Sequence, residues 1–115
     1  MLFRSSIAGA YDTTKQIRMT GAIREFHFVN PHPFLVLDVD SPKPGAWKLE
    51  MDNRWELAGI GVSENTFQAG DRVTVSGSPG RAEAQTLYVR RLDRPRDGFW
   101  YEQVGTEPRI RGSKR

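Results

Sequence analysis

Apolar residues fall on every second position along much of the chain, the period of a half-buried β-strand. Ile17, Met19 and Ile23 alternate in this way with Gly21 small on the same face, and then the parity slips, because the next alternating pair is Phe26 and Phe28. A slip of one residue turns one set outward. A bulge near Arg24 and Glu25 is therefore predicted, bending the strand so that both sets face one core. Asn30-Pro31-His32-Pro33 follows. Its two prolines remove backbone donors and forbid helix, which predicts a stiff turn. Phe34 to Val39 then resumes as a second strand, so a long, bent first strand is hairpinned to its neighbour, the way a small closed barrel begins.

The turn-rich Ser41-Pro42-Lys43-Pro44-Gly45 leads into a third strand, Ala46 to Met51, with Trp47, Leu49 and Met51 on one face and Lys48 and Glu50 on the other. Asn53 and Glu56 form a capping-box-like pair at the start of a short helix. Trp55 and Ala58, three apart, are expected to supply its buried face with Leu57 on the flank, and Gly59 and Gly61 stop it. Ser63 to Phe67 reads as one more helical turn, with Phe67 closing the core. Gly70-Asp71 turns into a strand from Arg72 to Ser76 with Val73 and Val75 inward. Thr86 to Leu92 is the next, with Leu87 and Val89 inward and Tyr88 and Arg90 outward. Arg94-Pro95-Arg96-Asp97-Gly98 breaks it, and Phe99 to Val104 is a sixth short strand or an ordered arm carrying Phe99, Trp100 and Tyr101. Residues 1–16 form an N-terminal arm, with Ile7, Ala8, Ala10 and Tyr11 suited to lie across a barrel end. Residues 105–115 read as a basic flexible tail with no core face.

Strand, strand, strand, short helix, strand, strand is the order of the OB-fold, a partly open five-stranded barrel whose outer face and loops bind oligonucleotides or oligosaccharides in many proteins. The predicted fold is thus mainly β: a five- to six-stranded OB-fold-like barrel over 17–104, with one short helix between strands 3 and 4.

Composition narrows the chemistry. The 115 residues suffice for one domain and one core. There is no cysteine, which excludes disulfides, thiolate metal sites and a cysteine nucleophile. The longest apolar run, Phe34 to Leu37, is far short of the ~20 residues that span a bilayer. Met1 to Arg4 is too short for the apolar region of an export signal. The net charge of +3 conceals an asymmetry: residues 1–71 hold 7 basic and 9 acidic residues, residues 72–115 hold 10 and 5. The basic surplus of the last third suits an acidic partner, nucleic acid or an anionic surface, and equally a solvated basic face.

Only His27 and His32 offer imidazoles. A metal reading needs both together with a carboxylate such as Glu50 or Asp52. The structural reading instead puts His27 on the outward face of the first strand and lets His32 cap the turn through a ring N–H. The pairs Asp38 with Asp40 and Glu50 with Asp52 share faces, but a general acid and base need unlike environments, and no nucleophile elbow, phosphate loop or dinucleotide fingerprint is present. Candidate ligand contacts are Asn30, His32, Arg72, Tyr88, Arg90 and Trp100. Rings at 88, 100 and 101 beside arginines at 72 and 90 are the pattern on which bases stack and phosphates are tracked.

Tyr11-Asp12-Thr13-Thr14-Lys15, Met19-Thr20-Gly21, Val29-Asn30-Pro31-His32, Trp47 to Glu50 and Gly70-Asp71-Arg72-Val73-Thr74-Val75-Ser76-Gly77 resemble a bacterial family of small, usually exported OB-like proteins, a domain of unknown function. The resemblance runs from about Tyr11 to Leu92. It implies the fold and an export route, and no enzymatic activity. Many relatives carry His-His-Ser-Phe just before the Tyr-Asp, where this chain has Arg4-Ser5-Ser6-Ile7. No metal role of those histidines carries over.

The resulting expectation is a non-catalytic binding or accessory module of the bacterial envelope, periplasmic by resemblance and otherwise cytoplasmic. It needs no cofactor and takes an anionic ligand, a saccharide or a protein. The alternatives are a metal binder using His27, His32 and Glu50, and, in a cytoplasmic protein, a single-stranded nucleic-acid binder.

Overall fold

The parity slip in the first strand is resolved by a bulge. In the computed structural model, which describes residues 7–104 and 107–111, strand β1 (Ile17–His27) pairs antiparallel with β2 (Phe34–Ser41), and the register shifts between Ile23 and Glu25. Met19, Gly21 and Ile23 face the core before the bulge, and Phe26 and Phe28 pack against the core after it. The close approach of β1 and β2 requires Gly21, since a Cβ there would overlap the Asp38 carbonyl.

β3 (Gly45–Glu50) pairs with β2, and β4 (Arg72–Pro79) pairs with the first half of β1. β5 (Thr86–Arg94) lies antiparallel to β4 and meets β3 in parallel over Lys48 to Glu50. The order β1-β2-β3-β5-β4 therefore closes on itself, an OB-like five-stranded barrel. Its interior holds Leu35, Leu37, Leu49, Leu57, Leu87 and Leu92, all fully buried. Each such side chain contributes about 1.5–3 kcal/mol of transfer free energy.

A second bulge governs β5. Ser76 faces Arg91 and Gly77 faces Val89, leaving Arg90 as the extra residue. The inward set changes accordingly from Leu87 and Val89 to Leu92 and Arg94, so an arginine is turned toward the interior. Arg94 Nη1 donates to Asp71 Oδ2 at 2.9 Å and to the Thr66 carbonyl at 2.7 Å, while Nε and Nη2 engage both oxygens of Asp97 at 3.0 and 2.9 Å. Its guanidinium lies 4.8 Å from the centre of the Phe99 ring. This network ties the loop before β4 to the turn that follows β5.

Helix α1 (Arg54–Gly59) begins as the sequence predicts, with Asn53 Oδ1 accepting from the Glu56 N–H at 2.8 Å. Its buried face does not follow the prediction. Leu57 is fully buried, Ala58 is exposed and Trp55 is 81% exposed. A helix this short turns only one position squarely to the core, and Leu57 takes it because Ile60 and Val62 enter behind it. The Val62 N–H donates to the Leu57 carbonyl at 3.0 Å, with Gly61 at φ 108° making the reversal. Ser63 to Phe67 is likewise not helical. Thr66 Oγ1 accepts from the Ser63 N–H at 2.8 Å and Ser63 Oγ from the Asn65 N–H at 3.2 Å, a local turn that competes with helix. Phe67 does close the core, edge-on to Phe26 and Phe99.

Two further strands extend the sheet beyond the barrel: β6 (Phe99–Val104) on the second half of β5, and β7 (Glu107–Ile110) on β6. The expected tail is thus a strand over 107–110. β6 leaves an unpaired edge, and Glu107 to Ile110 fill it with Pro108 buried opposite Gln103. Residues 105–106 and 112–115 of that tail lie outside the described residues. At the other terminus residues 7–10 make a helical turn, and Tyr11 bridges to Gly80. Bonds of 2.8 Å from the Asp12 N–H to the Pro79 carbonyl and from the Arg81 N–H to the Ala10 carbonyl fasten this arm across the wall.

Candidate functional site

Outward positions of five strands line up across the barrel wall. His27 faces Phe34, Phe34 faces Glu50, Glu50 faces Tyr88, and Tyr88 faces Ser78, so β1, β2, β3, β5 and β4 contribute one lateral row. The His27 ring stacks on Phe34 with centroids 4.5 Å apart, and Lys48 Nζ lies 4.6 Å from the centre of the same ring. Because β1 and β3 flank β2 on opposite sides, Phe34 stands between the imidazole and the ammonium. Glu25 Oε1 lies 2.7 Å from His27 Nε2.

The middle of the row is a shelf of tyrosines and carboxylates. The Tyr11 hydroxyl donates to Glu50 Oε1 at 2.6 Å, and its ring rests on Tyr88 with centroids 5.8 Å apart. His32 Nδ1 lies 2.9 Å from the Met51 carbonyl and 3.9 Å from Glu50 Oε2, so the turn histidine donates to the end of the third strand. Asp52 Oδ1 accepts from the Asn53 N–H at 2.7 Å, and the Asp52 N–H lies 3.5 Å from the Tyr101 hydroxyl.

Burial sets the electrostatics here. It pushes the Tyr11, Tyr88 and Tyr101 hydroxyls well above their ordinary range, with Glu50 adding to the effect at Tyr11 and Asp52 at Tyr88, so all three are neutral donors near pH 7. Burial also raises the Asp52 carboxyl, against the opposing pull of the Asn53 N–H and His32.

The candidates read from sequence divide. His27, His32, Glu50 and Tyr88 do come onto one wall. Tyr88 is outward in strand parity, as predicted, but it is buried rather than exposed, because the Tyr11 arm covers it. Asn30 is exposed in the turn, and Arg90 is half-buried at the β5 bulge. Arg72 stands six residues along β4 from Ser78, roughly 20 Å at a strand's rise, and pairs with Asp40 at 2.9 Å. Trp100 lies on β6 under the Arg91 guanidinium, 5.0 Å from the ring centre, and Arg91 is itself held by Asp93 at 2.8 Å. Arg72 and Trp100 therefore do not form one patch with His32, whereas Arg90 lies close enough to Tyr88 and Tyr101 for its charge to act on both hydroxyls.

His27, His32 and Glu50 do not converge as metal ligands, since His27 turns to Glu25 and Phe34 while His32 turns to a backbone carbonyl. Among the described residues no three His, Cys, Asp or Glu side chains are grouped to hold a metal ion. Tyr11, Phe34 and Lys48 belong to the wall without being ligand candidates in the sequence, as does Asp52, which the sequence offers only as a metal carboxylate. Tyr11 sits in a stretch without periodicity, and Phe34 and Lys48 read as ordinary strand positions.

A family of unknown function, DUF6152, matches residues 3–88. The chain belongs to that family. The match covers the arm, β1 to β4 and the start of β5, hence the whole lateral row, and stops before β6 and β7. No curated protein matches the chain. Two solved structures share its fold. One is a ZRD-deleted mutant of TiaS in complex with agmatine, at 18% identity and a TM-score of 0.53 over 90% of this chain and 24% of that one. The other is apo TiaS, a tRNA agmatidine synthetase, at 15% identity and a TM-score of 0.51 over 92% and 31%. The chain spans between a quarter and a third of those proteins' length, and the likeness is one of fold. No helix among the described residues is long and apolar enough to cross a membrane.

Proposed function

We propose that this DUF6152 protein is a non-catalytic binding module of the bacterial envelope that presents the His27–Phe34–Glu50–Tyr88 wall to a saccharide. One observation carries this reading: the carboxylates and the imidazole of the shelf already have structural partners. Glu50 accepts from Tyr11, Asp52 from the Asn53 N–H, and His32 meets the Met51 carbonyl. A general acid–base pair needs groups poised toward a substrate, whereas these hold one another in fixed positions. The half-exposed His27 and Phe34 rings, with polar groups at their rims, suit a ligand that has apolar C–H faces and many hydroxyls. The usual export of relatives supports the envelope location.

The tRNA in the name of the structural neighbours suggests single-stranded nucleic acid as a second ligand. The wall favours it less. Arg24, Arg72 and Arg91 are each engaged by Asp38, Asp40 and Asp93, so phosphates would have to displace carboxylates.

The test is an array of bacterial envelope glycans probed with labelled protein and with Phe34→Ala, each spot then analysed by mass spectrometry. Selective binding that weakens at least about tenfold in Phe34→Ala is expected, on the scale of one lost aromatic contact. Turnover of any glycan would refute the non-catalytic reading, and failure to bind any would refute the ligand class.

A further inference from the structure

Among the described residues the large hydrophobic side chains left exposed are Trp55, at 81%, and Val29, at 42%. They lie on two segments that Arg54 joins. Its backbone N–H donates to the Pro31 carbonyl at 3.1 Å and its Nε to the Phe28 carbonyl at 3.1 Å. Its guanidinium lies over the Phe28 ring, 4.5 Å from the centre. The side chain is thus fixed by a carbonyl and a ring, and no carboxylate of the described residues pairs with its two Nη groups. Arg24, Arg72 and Arg91 behave otherwise, as each meets an aspartate of the chain.

We propose that Val29, Arg54 and Trp55 form a docking tip for an extended segment of a partner protein that carries a carboxylate beside an apolar side chain. Trp55 offers a large, stiff apolar surface that folding does not use. The Arg54 fork is shaped to take a carboxylate through two parallel N–H···O bonds. Because Phe28 already holds the guanidinium, little rotamer freedom remains to be lost on binding. Charge selects the occupant: a guanidinium without a carboxylate, on segments that carry exposed apolar side chains, disfavours a basic segment and leaves a purely apolar one with a desolvated cation. Glu56, two positions along the helix, points to a different side from Arg54. The tip is small, so the contact belongs to the transient class. The proposal does not rest on the saccharide reading.

The experiment selects a phage-displayed random peptide library against the intact chain, then titrates a fluorescein-labelled synthetic copy of the leading peptide by polarisation. Selected peptides are expected to place Asp or Glu next to an aromatic or aliphatic residue. Binding should weaken about thirtyfold in Trp55→Ala, the scale of an anchoring tryptophan. It should weaken at least about tenfold in Arg54→Gln, with Arg54→Lys intermediate because it keeps the charge and loses the fork. Trp55→Ala should leave the thermal midpoint unchanged, since the ring is mostly in solvent, and Phe34→Ala should leave peptide binding unchanged. Peptides without an acidic residue, no binding peptide at all, or binding indifferent to Trp55→Ala would overturn the proposal. A concentration-dependent dimer in sedimentation that Trp55→Ala abolishes would give the tip to a second copy and overturn it equally.

Discussion

Arg94 and Glu50 are both charged residues on strands that carry core leucines, yet they end in opposite settings. The β5 bulge turns Arg94 inward, where it is 7% exposed and must be neutralised on the spot by Asp71 and Asp97. Glu50 stays on the outward side of β3, half-exposed, and is held by a neutral tyrosine from the arm. The first cluster is an ionic rivet, complete within the fold. The second is a hydrogen-bonded shelf with one side still open to a ligand. A charge taken out of water demands a full set of partners, whereas a half-solvated one can be positioned by few and keep capacity for another molecule.

The sharpest way to break this contrast is Arg94→Ala. It removes the guanidinium from Asp97 and from the buried Asp71, which keeps Arg96 and the Gln68 N–H, and should cost about 3 kcal/mol of unfolding free energy in urea titration. The mutant should also lose acid sensitivity. Arg94 holds the Asp97 carboxyl below its ordinary range, so the folded state binds that proton less readily than the unfolded chain. The stabilisation it represents is present above the ordinary carboxylate pKa and is lost as pH falls through the folded value. Urea titrations of wild type and Arg94→Ala across the acid range should converge as that happens, and parallel curves would contradict the assignment.

Tyr11→Phe, which removes the hydroxyl from Glu50 and keeps the ring on Tyr88, should cost less, about 1–2 kcal/mol. Glu50 can take water in exchange, so the fold survives while the arm loosens. Faster amide exchange at Asp12, whose N–H bonds the Pro79 carbonyl, would register that loosening.

The smallest effect, and the one of opposite sign, belongs to Asp52. Burial raises its carboxyl, so here the folded state binds the proton more readily and stability falls as pH rises through the interval from the ordinary value to the raised one. Asp52→Asn keeps an oxygen for the Asn53 N–H. It should be slightly stabilising near neutral pH and without effect at acid pH, where the wild-type group is already protonated. Comparing midpoints at the two pH values checks it, and a loss of stability at both would show that the charge is needed.

Much of the architecture was legible from residue order alone. The alternation in β1, β2, β4 and the start of β5, the bulge at Arg24, and the Asn53 cap follow from steric period and local hydrogen bonding, which act over a few residues. The candidate wall was half legible: His27, His32, Glu50 and Tyr88 stand out in the sequence, and Asp52 does so as a metal carboxylate, whereas Tyr11, Phe34 and Lys48 do not. Trp55 misled because its size suggested burial, while the six-residue helix had room to bury only Leu57. Tyr88 misled because outward parity suggested exposure, while an arm without any periodic signal lay over it.

Local chemistry thus determined a mainly β chain, its turns, one capped helix and the inward face of most strands, because each depends on neighbours in sequence. Only closure of the barrel decided that Arg94 meets Asp71, that Glu107 to Ile110 complete an open edge, and that Tyr11 reaches Glu50 across 39 positions of chain. Those contacts join groups distant in sequence, and nothing in a local pattern says which unpaired edge or charge another segment will come to cover.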